Sequence, residues 1–210
     1  MTTVAQAISL YPSLPQEAKA LWIMGGYIDG QYDQVTGGDI VDDINTDFNL
    51  MIDPEAAHIV LTANWTDLYI GGNVTNYLFP TQELYDSLIH KFGKQSIDNE
   101  PNHVAIKNFI GNGNASSVFL PLWDEAVSAY MAFPELIQNY TEVKVSVDTS
   151  FNSPFYGNLR IWPSNLAPKA ANIGKAKYIN SVNKTGVIHK IYDAFGKDWT
   201  KYCSHGVRDL

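Results

Sequence analysis

The stretch INTDFNLMIDPEAAHIVLTANW, residues 44–65, decides how this chain folds. Asp53 can cap a helix whose first position is Pro54, because an Asp side chain accepts from first-turn amides and proline has no amide to leave unpaired there. Asp47 and Asn49 stand just before this helix, so in an extended segment they would project to the same side. Their side chains can then bind vicinal hydroxyl groups, as a ribose presents, or satisfy the backbone of their own loop.

Two short apolar runs enclose that helix, which is predicted to end at about Ala63. The runs in ALWIMGG, residues 20–26, and DLYIGG, residues 67–72, are each stopped by two glycines, which is typical of buried parallel strands. Further helices are predicted over 3–11 and 80–93. Ligands of such sheets lie beyond the carboxyl ends of the strands, where both glycine pairs fall, although glycine pairs also serve as plain turns.

The second half of the chain has a different pattern. The predicted elements there are a helix, two antiparallel strands, one further strand and a closing helix, at 124–134, 143–151, 157–162, 176–182 and 185–203. The whole order predicts an α/β fold with a largely parallel sheet flanked by helices and a small antiparallel β appendage. Because no linker or internal repeat interrupts it, residues 1–210 are predicted to form a single domain.

The composition limits the classes of protein to which this chain can belong. With 210 residues, 45% of them apolar, and a net charge of −8, it favours one globular domain and no nucleic-acid partner, since general nucleic-acid binding needs a basic patch. The single cysteine, Cys203, excludes a disulfide framework and a thiolate zinc cluster within the chain. No apolar run approaches the ~18 residues of a membrane span, so no membrane partner is predicted.

Five Asn-x-Ser/Thr acceptors favour a secreted parent protein and leave the compartment itself open. They lie at Asn64, Asn73, Asn114, Asn139 and Asn183. Asn73 also belongs to the glycine turn after the second predicted strand, which weakens it as an acceptor. The start of the chain lacks the charged, apolar and small-residue order of a signal peptide.

Asp124, in LPLWDEAVSAYMAF, stands at a predicted helix start. It can be the N-cap of that helix or a hard oxygen ligand for Ca²⁺ or Mg²⁺. Trp123 beside it can stack on a flat heterocycle or fill the core. The five histidines show no metal-binding spacing, and no Ser or Cys lies in a nucleophile elbow, so neither a zinc site nor covalent catalysis is predicted.

Four segments together resemble the inosine/uridine-preferring nucleoside hydrolases, in the same order and at similar separations. They are LWIMGG, TDFNLMIDPEAAHIVL, IGGNVTN and LPLWDEAVSAYMAFPEL. The second is the most specific, because the family carries an acidic residue, Phe and Asn directly before Asp-Pro-Glu-Ala-Ala. The resemblance extends from Met1 to about Phe195 and corresponds to the C-terminal two-thirds of a family member, so the N-terminal strands of the family fold are expected to be missing.

The resemblance implies an enzyme that cleaves the N-glycosidic bond of a ribonucleoside with water around one bound Ca²⁺. By position, Asp47 and Asn49 match residues that hydrogen-bond the ribose, and Met24 matches one that lines its pocket. Asp124 matches a carboxylate that binds both the calcium and the sugar hydroxyls, and Thr2 matches a calcium-binding threonine. The implied partner is a ribonucleoside, and a homo-oligomer is compatible with the family.

Three departures from the family pattern bear on activity. The N-terminal Asp-x-Asp-x-Gly-x-Asp-Asp cluster, which supplies most calcium carboxylates and the general base, has no counterpart in these residues. Trp123 replaces a His that helps to protonate the leaving base, and an indole cannot serve as that acid. Asp47 replaces a Glu, which shortens the reach to the ribose by one methylene.

Two functions are therefore open. The first is nucleoside hydrolysis by a longer parent protein that restores the missing aspartates. The alternative is a non-catalytic protein of the same fold that binds nucleosides or pairs with another subunit. An unrelated α/β protein would place Asp47, Asn49 and Asp124 on different faces of the molecule.

Overall fold

The computed structural model describes residues 1–28, 47–83, 86, 90, 121–169, 172–195 and 197. Its helices are α1 Thr2–Leu10, α2 Leu14–Glu17, α3 Phe48–Met51, α4 Pro54–Thr62, α5 Gly72–Thr75, α6 Trp123–Ala132 and α7 Lys184–Phe195. Its strands are β1 Leu21–Ile23, β2 Leu68–Ile70, β3 Ile137–Val147, β4 Leu159–Trp162 and β5 Gly174–Val182. Most of the helix predicted over 80–93, the acceptor Asn114 and Cys203 lie outside the described residues.

The five strands form one mixed sheet in the order β1-β2-β5-β3-β4. Strands β1, β2 and β5 run parallel, with Ile23 beside Ile70 and Ile70 beside Tyr178. Strand β3 runs antiparallel to both β5 and β4. The predicted fold class is confirmed, and the antiparallel pair joins the same sheet because β3 begins at Ile137, six residues before the predicted start, and pairs along the length of β5.

Helix α4 forms as its sequence predicts. The Asp53 side chain accepts from the Ala56 amide at 3.1 Å, and Pro54 occupies the first helical position. The helix buries Ala57, Val60 and Leu61 against the sheet and α1. Burial of this face, at about 25 cal/mol per Å² of apolar surface, holds α4 on one side of the sheet.

The opposite face of the sheet is covered by α6 and α7. Val127 and Tyr130 of α6 pack with Val187 and Ile191 of α7 around Ile179 of β5. The α7 residues recur at helical spacing, which explains why the apolar stripe in the closing segment folds as a helix. Helices on both faces of the sheet complete a layered α/β architecture. Among the described helices, none is long and apolar enough to cross a lipid bilayer.

Tyr130 carries a buried hydroxyl without a hydrogen-bond partner among the described residues. Burial raises the pKa of this phenol, so it stays neutral. Replacing a buried, unpaired hydroxyl by hydrogen is neutral or stabilising, so we expect Tyr130→Phe to raise the free energy of unfolding by zero to about 1 kcal/mol. Urea unfolding of the two proteins measures this, and a loss of stability would show that the hydroxyl has a bonding partner.

The β3–β4 hairpin bends over α4. The Ser146 hydroxyl lies 3.3 Å from the His58 Nδ1 atom, and the Tyr156 hydroxyl donates to Glu55 at 2.6 Å. These contacts place the hairpin tip at the N-terminal end of α4. Leu159, at the start of β4, points under the turn after β1. The hairpin therefore packs against the turn after β1.

Asp148 holds the hairpin tip together. Arg160 Nη2 donates to its Oδ2 atom at 2.9 Å, and the Ser150 amide and Ser153 hydroxyl also donate to it. Burial raises the pKa of Asp148, but the hydrogen bonds from these three residues outweigh burial and lower it below its usual range.

This depressed pKa predicts a dependence of stability on acid pH. A carboxylate with a lowered folded pKa stabilises the protein above its unfolded pKa of about 3.9, and that contribution is lost as the pH falls through the folded pKa. We expect Asp148→Asn to cost about 1 kcal/mol at pH 7, since Arg160 is part-exposed, and less at pH 3. Urea unfolding at both pH values measures this difference, and a gap that stays constant would contradict it.

Candidate active site

The candidate site lies where β1 and β2 end. Met24, Gly25 and Gly26 follow β1, and Gly71 and Gly72 follow β2. Gly25 has a φ of +138° and Gly26 a φ of +81°, conformations that side chains disfavour. A Cβ on Gly72 would lie 2.5 Å from the Gly26 carbonyl oxygen. The glycines therefore do more than form two turns, because the missing side chains let the turns after β1 and β2 contact each other.

Asp47 sits beneath the first turn as the N-cap of α3. Its Oδ1 atom accepts from the Asn49 amide at 2.8 Å and the Leu50 amide at 3.2 Å, and its Oδ2 atom accepts from the Tyr27 amide at 3.3 Å. The segment from Phe48 is helical, so the extended geometry considered from the sequence does not occur. Of the two roles weighed for Asp47, the structure displays the backbone-satisfying one, and ribose binding stays a prediction.

Asp47 is buried, with only 8% of the residue exposed. Burial raises its pKa, and the hydrogen bonds from the Tyr27, Asn49 and Leu50 amides oppose that rise. When ionised, Asp47 therefore carries a poorly solvated negative charge directly under the turn after β1. Such a charge favours a cation nearby more strongly than an exposed carboxylate does.

Asn49 and Met24 meet next to Asp47. The Asn49 Nδ2 atom donates to the Met24 carbonyl oxygen at 3.3 Å and lies 3.0 Å from the Met24 sulfur. A Cβ on Gly25 would lie 3.2 Å from the Asp47 Oδ1 atom and 3.4 Å from the Asn49 Cβ. The structure thus brings together three of the predicted site residues around Gly25, and their role toward a ribose stays a prediction.

Asp124 lies in the first turn of α6. The helix begins at Trp123, and its N-cap is Leu122, so the alternative role of Asp124 as N-cap is wrong. Asp124 is exposed and lies three residues before Val127, whose methyl group would be 2.9 Å from a Cβ on Gly71. Residues three apart share a helix face, so Asp124 lies on the side of α6 that packs on the turn after β2.

Trp123 is hydrogen-bonded to the residue that follows α5. Its Nε1 atom donates to the Asn76 Oδ1 atom at 2.7 Å, and Asn76 directly follows α5. The Trp123 side chain is part-buried, so it is neither a fully buried core residue nor fully exposed to solvent. The hydrogen bond occupies the indole N–H group, so any contact with a flat ligand would have to use the ring face.

Thr2 is the first residue of α1 and contacts Asp53, the N-cap of α4. Its hydroxyl donates to the Asp53 Oδ2 atom at 2.6 Å, and this bond is the main cause that lowers the pKa of Asp53. The part of the chain that the structure describes holds no group of three or more His, Cys, Asp or Glu side chains suited to a metal ion. Calcium takes about six to eight oxygen ligands, so Asp124 and Thr2 could supply only part of a calcium site. Their assignment to the metal stays a prediction.

Two residues of the site escaped the sequence reasoning. Tyr178 on β5 donates its hydroxyl proton toward Gly26 and Asn73, and Asn73 accepts from the Ile28 amide at 2.9 Å. Tyr178 occupies one of the apolar positions of a predicted strand, so nothing in the sequence marked it as a site residue. Asn73 carried a weak signal through its place in the glycine turn.

Comparison with known proteins agrees with this architecture. The family model for "Inosine-uridine preferring nucleoside hydrolase" matches residues 1–188. An uncharacterized protein from Schizosaccharomyces pombe is 42% identical over 208 residues, which are 98% of this chain and 54% of that protein. The inosine-uridine preferring nucleoside hydrolase of Crithidia fasciculata is 33% identical over 82 residues, 39% of this chain and 23% of that protein. The chain belongs to the inosine-uridine preferring nucleoside hydrolase family.

Solved structures show the same fold. A plant nucleoside hydrolase superposes with a TM-score of 0.68 at 19% identity, covering 93% of this chain and 59% of the plant chain. The inosine-uridine preferring nucleoside hydrolase from Bacillus anthracis gives a TM-score of 0.64 at 19% identity, with 93% and 57% covered. The resemblance recognised in the sequence is confirmed, and the chain spans about half the length of the S. pombe relative.

Proposed function

We propose that the protein to which this chain belongs hydrolyses the N-glycosidic bond of ribonucleosides to give base and ribose. The observation that carries the proposal is the meeting of Met24, Asp47 and Asn49 around Gly25 at the carboxyl end of β1. Ligands of parallel sheets bind at this edge, and an amide next to a buried carboxylate suits the hydroxyls of a sugar.

The charge of the site suits the chemistry. A ribose that is losing its base develops positive charge, so a buried carboxylate nearby stabilises the transition state more than the ground state. In our proposal Asn49 contacts the ribose, and Asp47 orients Asn49 through its amide and supplies the buried charge. The short Asp side chain, which turns back onto its own backbone, accounts for this division of roles.

Calcium is proposed as the cofactor, with Asp124 and Thr2 supplying two of its oxygen ligands. When bound, such an ion lowers the pKa of a coordinated water and so supplies the nucleophile. The remaining ligands and the general base would come from outside the described residues, in a longer parent protein. The face of Trp123 is proposed to stack on the leaving base.

The test is an assay of ribose release from inosine and uridine with Ca²⁺, using the longest reading frame that contains this chain. Asp124→Ala should lower the rate about a hundredfold, as the loss of one transition-state contact does. Glu125→Ala is the matched control, since it removes a carboxylate from the same helix turn, and it should leave the rate unchanged. Equal rates for all three proteins would contradict the role of Asp124.

The alternative, a binding protein that does not catalyse, gives a different result in the same experiment. It predicts ribose or nucleoside binding with no ribose release from any length of the reading frame. Absence of both binding and release would contradict the proposed function itself.

A further inference from the structure

Tyr178 lies on β5 beside the end of β2, with Ile70 as its strand neighbour. Only 5% of its side chain is exposed, and its ring lies under Gly26, whose missing Cβ would be 3.9 Å from the Tyr178 Cε2 atom. The ring thus fills the space directly below the two glycine turns. Its hydroxyl reaches the gap between them.

The hydroxyl group bonds to both turns. It lies 2.9 Å from the Gly26 carbonyl oxygen and 2.8 Å from the Asn73 Oδ1 atom, and it accepts from the Asn73 amide at 3.3 Å. A phenol has one proton, so it donates to one of these oxygens at a time. When it donates to the Gly26 carbonyl oxygen it also accepts from the Asn73 amide, and this state links the turn after β1 to the turn after β2.

The backbone after Gly26 is held from two sides. On one side the Tyr27 amide donates to Asp47. On the other side the Ile28 amide donates to Asn73, which Tyr178 holds in place. Because these two amides are neighbours in the chain, a shift of either side moves the other. Loss of the Tyr178 hydrogen bonds would therefore shift Asp47, although the two residues make no direct contact.

We propose that Tyr178 is a positioning residue of the candidate site: its hydroxyl fastens the turn after β1 to the turn after β2 and thereby fixes Asp47 and Asn49. This role rests on the proposed function, because it assigns Tyr178 to the same ribose site. Tyr178 does not contact the ligand in this scheme. It acts through Gly26, Asn73 and the Asp47 bond to Tyr27.

The first test needs no ligand. In the 210-residue chain, Tyr178→Phe removes only the hydroxyl, and Tyr130→Phe is the matched control, since it removes a buried hydroxyl without a partner among the described residues. Losing one buried hydrogen bond should speed amide exchange at Ile28 and Asn73 about tenfold in the first variant and leave it unchanged in the control. Unchanged exchange in Tyr178→Phe would overturn the proposal.

The second test measures ribose affinity, with Ca²⁺ present, by titration of the wild type and the two variants made in the longest reading frame that contains this chain. The proposal predicts that Tyr178→Phe binds D-ribose about tenfold more weakly than the wild type and Tyr130→Phe. Equal affinities in all three would overturn the positioning role while leaving the proposed function intact. If the wild type itself binds no ribose, the proposed function fails, and the positioning role of Tyr178 fails with it, whatever the exchange experiment shows.

Discussion

Gly72→Ala is expected to destabilise the chain by about 2–4 kcal/mol and to abolish ribose binding, because it overpacks a rigid site. The added Cβ would lie 2.5 Å from the Gly26 carbonyl oxygen, 2.8 Å from the Tyr178 hydroxyl and 2.9 Å from the Gly25 carbonyl oxygen. Two of these neighbours are backbone atoms, which cannot swing aside. The turns after β1 and β2 must separate to admit the methyl group.

Gly186→Ala is the control for this substitution. Its Cβ would meet the Leu136 Cδ2 atom at 2.8 Å and the Asn183 side chain at 2.9 Å, which are ends of flexible side chains. Alanine also favours a helix interior over glycine by about 1 kcal/mol, so the two effects largely cancel. Urea unfolding of both variants measures the difference, and equal stabilities would show that the two turns do not touch as described.

Asp47→Ala is the second substitution with a large expected effect. It removes the N-cap of α3 and leaves the Tyr27, Asn49 and Leu50 amides without their acceptor. A lost cap costs about 1 kcal/mol and a buried unsatisfied amide about 1–3 kcal/mol, so we expect a total loss of about 3 kcal/mol. Urea unfolding measures this loss.

Asp47→Asn tests the negative charge of Asp47 separately from its role as the N-cap of α3. Asparagine is as good an N-cap as aspartate, but its carboxamide has a single acceptor oxygen, so the Tyr27 amide loses its acceptor and the stability loss should be about 1–2 kcal/mol. It carries no charge, so ribose release by the full protein should fall much further than stability does. A variant that keeps full activity would show that the buried charge of Asp47 has no part in the reaction.

The sequence predicted the architecture well for physical reasons that can be named. The cap at Asp53 with Pro54 specifies α4 locally, and the two apolar runs ended by glycines specify β1 and β2. These signals depend on residues close together in the chain. The early start of β3 had no such signal, because residues 137–142 alternate poorly and are ordered by pairing with β5.

The site was harder to predict than the fold. The grouping of Met24, Asp47 and Asn49 came from resemblance, whereas their hydrogen bonds depend on α3, a single helical turn too short to show a periodic pattern. The contact of Tyr178 with Gly26 spans 152 residues of sequence, so no local pattern could indicate it. Long-range polar contacts of this kind require the folded structure.

In the proposed site, Met24, Asp47, Asn49 and Asp124 surround one ribose. It can be tested by a nuclear magnetic resonance titration of the isotopically labelled protein, made from the longest reading frame with Ca²⁺ present, with D-ribose and with 2-deoxy-D-ribose as the control sugar. We expect shift changes confined to the backbone of residues 24–27, 47–50 and 123–125 with ribose, and weaker changes with the deoxy sugar. Changes located elsewhere on the chain, or equal for both sugars, would contradict it.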